Sequence, residues 1–191
     1  MPARRSDAGL FWGLVVGIVV ADVITKRIAV AELLPRYSQH QVLGKWVQLQ
    51  LVYNQGAAFG IYLGDYSRWI FIVLTVVAVS LLARMYVVTP PDQRLRTTAL
   101  AMVIGGAIGN LIDRLRSAQG VVDFIDVGVG VHRWPTFNVA DMGVSVGAVL
   151  LAVVLWREDE ADARVRTPPS TPPVAPVAPP LPAPASPASE Y

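Results

Sequence analysis

Residues 105–141 read GGAIGNLIDRLRSAQGVVDFIDVGVGVHRWPTFNVAD, and the fold turns on this stretch. An apolar helix ends in Asn110, Asp113 and Arg114, a loop carries Asp123 within VVDFID, and a second apolar helix opens with Asn138 and Asp141. An Asp at a bilayer centre costs roughly 2.5–3.5 kcal/mol, and less near the interface, where water is available. Two carboxylates bracketing the mouth of a membrane helix therefore call for a chemical reason.

The rest of the chain sets the medium. Its 191 residues are 53% hydrophobic and 16% charged, with a mean hydropathy of +0.47. Those values belong to the membrane class. Net charge is +2 and no run of Lys or Arg exceeds two, so no nucleic-acid partner is expected. The absence of cysteine excludes disulfides, thiolate nucleophiles, sulfur-ligated metal and lipidation of this chain. His40 and His132 stand alone. No metal and no cofactor is expected, and any chemistry falls to Asp, Asn, Arg, Lys, Ser, Thr or Tyr.

Four apolar stretches, 10–31, 69–88, 97–115 and 139–156, are long enough to cross a hydrocarbon core of roughly 30 Å at about 1.5 Å per helical residue. The expected fold is a membrane all-α bundle of four transmembrane helices with a small extramembrane β-containing segment. A cleaved signal peptide competes for the first stretch, with Arg4 and Arg5 ahead of the apolar run and Ala21 as a weak cleavage site. The helical pattern continues past Ala21, however, and three more spans follow. Residues 1–9 form a short basic N-terminus. Residues 157–191 form a tail, its mixed-charge start followed by a segment with ten of the chain's fifteen prolines, which is expected to be disordered.

The extramembrane segment, 32–68, contains an alternating run at 45–53 that reads as a half-buried strand. Asn54 and Gly56 follow it in NQGAAFG, where small residues let backbone approach a ligand closely; as a bare turn the same residues mean little. In the third span Ala101, Gly105 and Gly109 make a small-residue ridge suited to close helix packing. Asp22 and Lys26 lie four apart on one face of the first span. They either neutralise each other near the interface or brace a polar site inside the bundle.

Four spans impose a parity. Asn54, Asp123 and Asp141 share one side of the membrane with the ends of the first and third spans, which carry Asp22, Lys26, Asn110, Asp113 and Arg114. The two sides carry eight basic residues each, so the positive-inside rule decides only when Lys26 and Arg114 are set aside as site residues, favouring cytoplasmic termini. Two carboxylates across a small gap do not ionise together; one keeps a proton, and the pair can deprotonate water and protonate a leaving amine. Taken singly, Asp141 also reads as the third residue of a capping box begun by Asn138, and Asp123 as a turn or strand-end residue for which Asp126 serves equally well. Asp113 and Arg114 read as an ion-paired brace for the loop that carries Asp123.

These motifs resemble the lipoprotein signal peptidase (signal peptidase II) family: Asp22 with Lys26, NQGAAF at 54–59, GNLIDR at 109–114, VVDF at 121–124 and FNVAD at 137–141. They occur in the family's order from about residue 10 to 156. The resemblance implies a four-span bacterial inner-membrane aspartic endopeptidase, with cytoplasmic termini and its site near the outer face. It would cut a signal peptide just before a diacylglyceryl-modified cysteine in a prolipoprotein, in contact with the phospholipid bilayer and as a monomer. It makes Asp123 and Asp141 the catalytic pair, and it places Asn54, Gly56, Asn110, Arg114 and Asn138 around the substrate. The chain departs from the pattern in a longer link between Asp113 and Asp123, with Gly120 late, and in its proline-rich tail. The rival class is a small proton-coupled transporter or channel using Asp22, Lys26, Asp113 and Asp141 as a relay; no inverted repeat supports it. A different intramembrane aspartyl protease would need a Gly-x-Gly-Asp motif and more spans.

Overall fold

The structure is a computed structural model that describes residues 7–34, 39–56 and 64–166. Its helices are α1 (Ala8–Leu33), α2 (Ser67–Val88), α3 (Arg94–Arg116) and α4 (Val139–Arg166), all apolar and long enough to cross a membrane. Its strands are β1 (His40–Leu43), β2 (Val47–Asn54), β3 (Val121–Val129) and β4 (His132–Arg133), joined in that order into one antiparallel sheet. Three of the four expected spans differ from these helices only by a turn or less at their ends. The fourth continues past Trp156 to Arg166, so the mixed-charge run 157–166 is helical. Its Ala, Arg and Glu are strong helix formers that need no membrane around them. The proline-rich segment 167–191, the residues 1–6 and the part of the NQGAAF motif beyond Gly56 lie outside the described residues.

Helix α3 is the hub, packed against all three other helices. Its small-residue ridge is what permits the approach. A Cβ on Gly105 would lie 3.2 Å from the Val15 carbonyl oxygen of α1, and one on Gly106 would run into the Ala140 carbonyl of α4. Ala101 is fully buried in the core formed with Phe11, Val15, Leu100 and Ile104. Residues that face outward are apolar too: Trp12, Val16, Val20, Ile24 and Ile28 form an exposed stripe four residues apart along α1. That pattern suits a helix whose solvent is lipid.

One end of the bundle holds Phe11 stacked on Tyr86 with ring centroids 3.7 Å apart, Thr97 donating to Asp7 at 2.7 Å, and Arg96 paired with Glu158 at 3.0 Å. The sheet and all the polar residues singled out above gather at the other end, as parity requires. The sheet rests on the far end of α1, where Ala29, Leu33 and Phe124 form a buried cluster joined by Leu49, Leu51, Ile125 and Val139.

The segment carrying Asp123 is a strand, not the expected loop. Asp123 sits opposite Val52, and Val121 opposite Asn54. Gly120 makes this entry possible: its φ of +99° favours glycine, and a Cβ there would collide with the Asn54 carbonyl. Asp126, an alternative to Asp123 on sequence grounds, is committed elsewhere. Both its carboxylate oxygens accept from Arg133 Nε at 2.7 Å, while Arg133 also donates to the Lys45 carbonyl at 3.0 Å and so ties the two turns of the sheet together.

Candidate active site

Helix α4 begins with a reciprocal cap. The Asp141 backbone N–H donates to Asn138 Oδ1 at 2.9 Å, and the Asn138 backbone N–H donates to Asp141 Oδ2 at 3.2 Å. This is a capping box built from Asn and Asp, and it satisfies two donors that a helix start leaves open. The other Asp141 oxygen, Oδ1, accepts from Asn110 Nδ2 of α3 at 2.7 Å. The capping and chemical readings of Asp141 are thus compatible in one side chain, whose carboxylate is fixed in two directions.

Asp123 is only 2% exposed. Its Oδ1 accepts from Asn138 Nδ2 at 2.7 Å and its Oδ2 from Asn54 Nδ2 at 3.1 Å. Burial pushes its pKa up, the nearby Asp141 charge adds to that, and the hydrogen bonds from Asn54 and Asn138 and the charge of Lys26 pull the other way; the net value is about 6. Asn138, fully buried, is therefore the joint between the two carboxylates. Its Nδ2 reaches Asn110 Oδ1 at 3.1 Å and the Val122 carbonyl at 3.2 Å as well as Asp123, so β3, α3 and α4 meet on one amide. Asn54 accepts from the Gly56 backbone N–H at 3.0 Å, folding the end of β2 back on itself, and the Gly56 carbonyl accepts from Arg114 at 3.1 Å.

Behind the carboxylates lies a buried ionic cluster. Lys26 Nζ is 2.8 Å from Asp22 Oδ2, 2.8 Å from Asp113 Oδ2 and 2.9 Å from Asn110 Oδ1. Asn110 accepts a hydrogen bond from the ammonium, and the Asp22 and Asp113 carboxylates offset its charge as ion pairs. The other Asp22 oxygen accepts the Ala140 backbone N–H at 2.9 Å, so α1 caps the first turn of α4 from outside. Gly109 leaves room for this: a Cβ there would lie 2.7 Å from Asp22 Oδ2. Asp113 Oδ2 also accepts the Val122 backbone N–H at 3.2 Å, one residue before Asp123. Asp113 does brace the Asp123 segment, but its ionic partner is Lys26, not the expected Arg114. Neighbours in a helix point about 100° apart, so Asp113 turns to α1 while Arg114 turns to the other side, with its guanidinium 5.6 Å from the Phe71 ring centre.

Asn54, Asn110, Arg114, Asp123 and Asp141 line one cleft of about 530 Å³, whose remaining wall includes Trp134, Phe137, Met142, Val144 and Val146. The lining thus combines a cluster of polar groups with a broad apolar surface. Asp22, Lys26, Asp113 and Asn138 stand behind this lining, and Gly56 reaches it through Arg114. The sequence reading missed the apolar wall. Its available signal was Trp134 and Met142, large apolar side chains flanking the Asn138 motif.

Known proteins share this architecture. The signal peptidase (SPase) II family model matches residues 14–157. The lipoprotein signal peptidase of Syntrophotalea carbinolica is 44% identical over 142 residues, covering 74% of this chain and 87% of the relative. That of Geobacter sulfurreducens is 38% identical over 156 residues, covering 81% and 96%. Among solved structures, a bacterial membrane enzyme determined by the in meso method at 2.3 Å superposes with a TM-score of 0.70 at 26% identity, over 82% of this chain and 93% of that one. A second, at 1.9 Å, gives 0.68 at 27% identity, over 81% and 97%. With the match running through all four helices and the sheet, this multi-pass membrane chain belongs to the signal peptidase II family of lipoprotein-processing peptidases.

Proposed function

We propose that the cleft removes the signal peptide from a diacylglyceryl-modified prolipoprotein, cutting just before the lipidated cysteine, with Asp123 and Asp141 as the catalytic pair. The observation that carries this reading is the double tether of both carboxylates to Asn138, which lines them up in one cleft at the sheet end of the bundle. Asp123, buried and held near 6, keeps the shared proton. Asp141 takes a proton from water, whose oxygen attacks the scissile carbonyl carbon, while Asp123 protonates the carbonyl oxygen. The tetrahedral carbon then collapses. The carbon–nitrogen bond breaks, Asp141 passes its proton to the leaving amine, and the new carboxylic acid returns a proton to Asp123. Arg114 and Asn54 flank the pair as contacts for substrate carbonyls, and the wall of Trp134, Phe137 and Met142 takes the lipid.

The working unit in this reading is residues 10–156, a monomer in the inner membrane of a bacterium, with cytoplasmic termini and its cleft at the outer face. Lys26 and Arg114 are occupied in the site, and setting them aside leaves eight basic residues on the terminal side against six on the other. The tail beyond Arg166 has no part in cleavage. The test is purified protein with lipidated and unlipidated precursor, the cut site read by mass spectrometry. Asp123→Asn and Asp141→Asn should each abolish cleavage while inserting normally; near-normal turnover by either one ends the dyad assignment. The relay of Asp22, Lys26, Asp113 and Asp141 in a transporter is not favoured, because these groups cluster at one membrane face.

A further inference from the structure

A second trough, of about 340 Å³, lies between the far half of α1 and the sheet. It shares no lining residue with the catalytic cleft. Phe124 lines it, whereas its neighbour Asp123 lines the cleft; successive strand residues face opposite sides, so the two spaces are separated by β3. Ala29, Leu33 and Phe124, all buried, make a firm floor, and Ile28 forms a lipid-exposed wall. Glu32 and His40, both exposed, are its charged and titratable rim.

Depth identifies what covers it. Measured along α1 from Ala8, Thr25 is about 25 Å up the axis and Leu33 about 38 Å. A hydrocarbon core of roughly 30 Å therefore ends within the trough. Its Thr25–Ile28 end lies among acyl chains and its Glu32–His40 end among head groups. The exposed stripe Trp12, Val16, Val20, Ile24 and Ile28 runs straight into it, so the trough continues a surface already covered by lipid. An apolar recess open to acyl chains fills with a chain rather than with water.

We propose that this trough binds one glycerophospholipid of the leaflet beside the sheet, with an acyl chain along Ile28 and Phe124 and an ammonium-bearing head group at Glu32, its phosphate beside His40. An ethanolamine head provides the ammonium that a carboxylate selects, and a glycerol head does not. The site is independent of the reacting groups, so its occupancy is measurable without turnover.

The test is native mass spectrometry of the full-length protein released from nanodiscs that contain phosphatidylethanolamine and phosphatidylglycerol of matched chains. Wild type should retain one phosphatidylethanolamine, and so should Asp141→Asn. Thr25→Trp with Ile28→Trp fills the trough from positions outside the buried floor and should lower that occupancy at least tenfold; circular dichroism checks its fold. Glu32→Gln, at an exposed position, should still hold a lipid but lose the preference for ethanolamine over glycerol. Undiminished occupancy in the folded double variant, an unchanged preference in Glu32→Gln, or displacement of the lipid by lipidated precursor would each overturn the assignment.

Discussion

Replacing Asp123 with Asn should change how stability depends on pH, and in a direction opposite to that of a carboxylate whose pKa is lowered by an ion pair. Burial first, and the charge of Asp141 second, raise the folded-state pKa of Asp123 from 3.8 to about 6. Between those values the folded state binds a proton that the unfolded state has released, so stability falls as pH rises. At 1.36 kcal/mol per unit, the shift of about two units amounts to about 3 kcal/mol. That contribution is complete below about pH 4 and gone once pH has passed the folded value. Asn has no proton to lose. Paired unfolding curves in one detergent from pH 4 to 8 should therefore show the variant gaining about 3 kcal/mol on wild type, with the change confined to the window below about pH 7. A constant difference, or wild type gaining on the variant, would refute the account. Adding Asp141→Asn should shrink the effect without removing it, since burial is the larger cause.

Other perturbations probe the supports. Lys26→Met strands Asp22 and Asp113 without their counter-charge and should cost about 3–5 kcal/mol; in the surviving fraction kcat should fall more than KM changes, because Asn110 loses one of the two donors that fix its amide. Gly109→Ala brings a methyl 2.7 Å from Asp22 Oδ2 and should cost about 1–3 kcal/mol. Gly13→Ala, whose added methyl meets nothing within 4 Å, should instead be neutral or stabilising by up to about 1 kcal/mol, and equal melting of the two would discount the close approach. Arg133→Met leaves Asp126, 1% exposed, without its partner; amide exchange at 127–133 should speed up markedly, while exchange at 122–124 should hold.

Much of this arrangement was legible in the sequence, because a membrane makes polarity informative. Each span announces itself by length, parity assigns the sides, and Asp22 with Lys26 reads as an i,i+4 pair before any coordinates exist. The capping box at Asn138 and Asp141 was equally visible. Strand β3 was not: VVDFIDVGV has apolar residues on both faces and acids three apart, so the two-residue alternation that marks a half-buried strand is broken. It pairs with β2 on one edge and meets Phe137 on the other, contacts that come from sequence far away. The misassigned partner of Asp113 has the same origin. Adjacency suggested Arg114, whereas the true neighbour lies on another helix.

The two tethers of the candidate dyad also bear on how the gene can change length. Asp123 is fixed locally by Asp113 through the Val122 amide, and Asp141 by its own helix start at Asn138. Neither anchor runs through the turns at 117–119 and 130–131, which lie outside the helices and strands. An added residue in one of those turns can lengthen it without altering the separation of the carboxylates. The site behaves as a fixed frame with adjustable spacers.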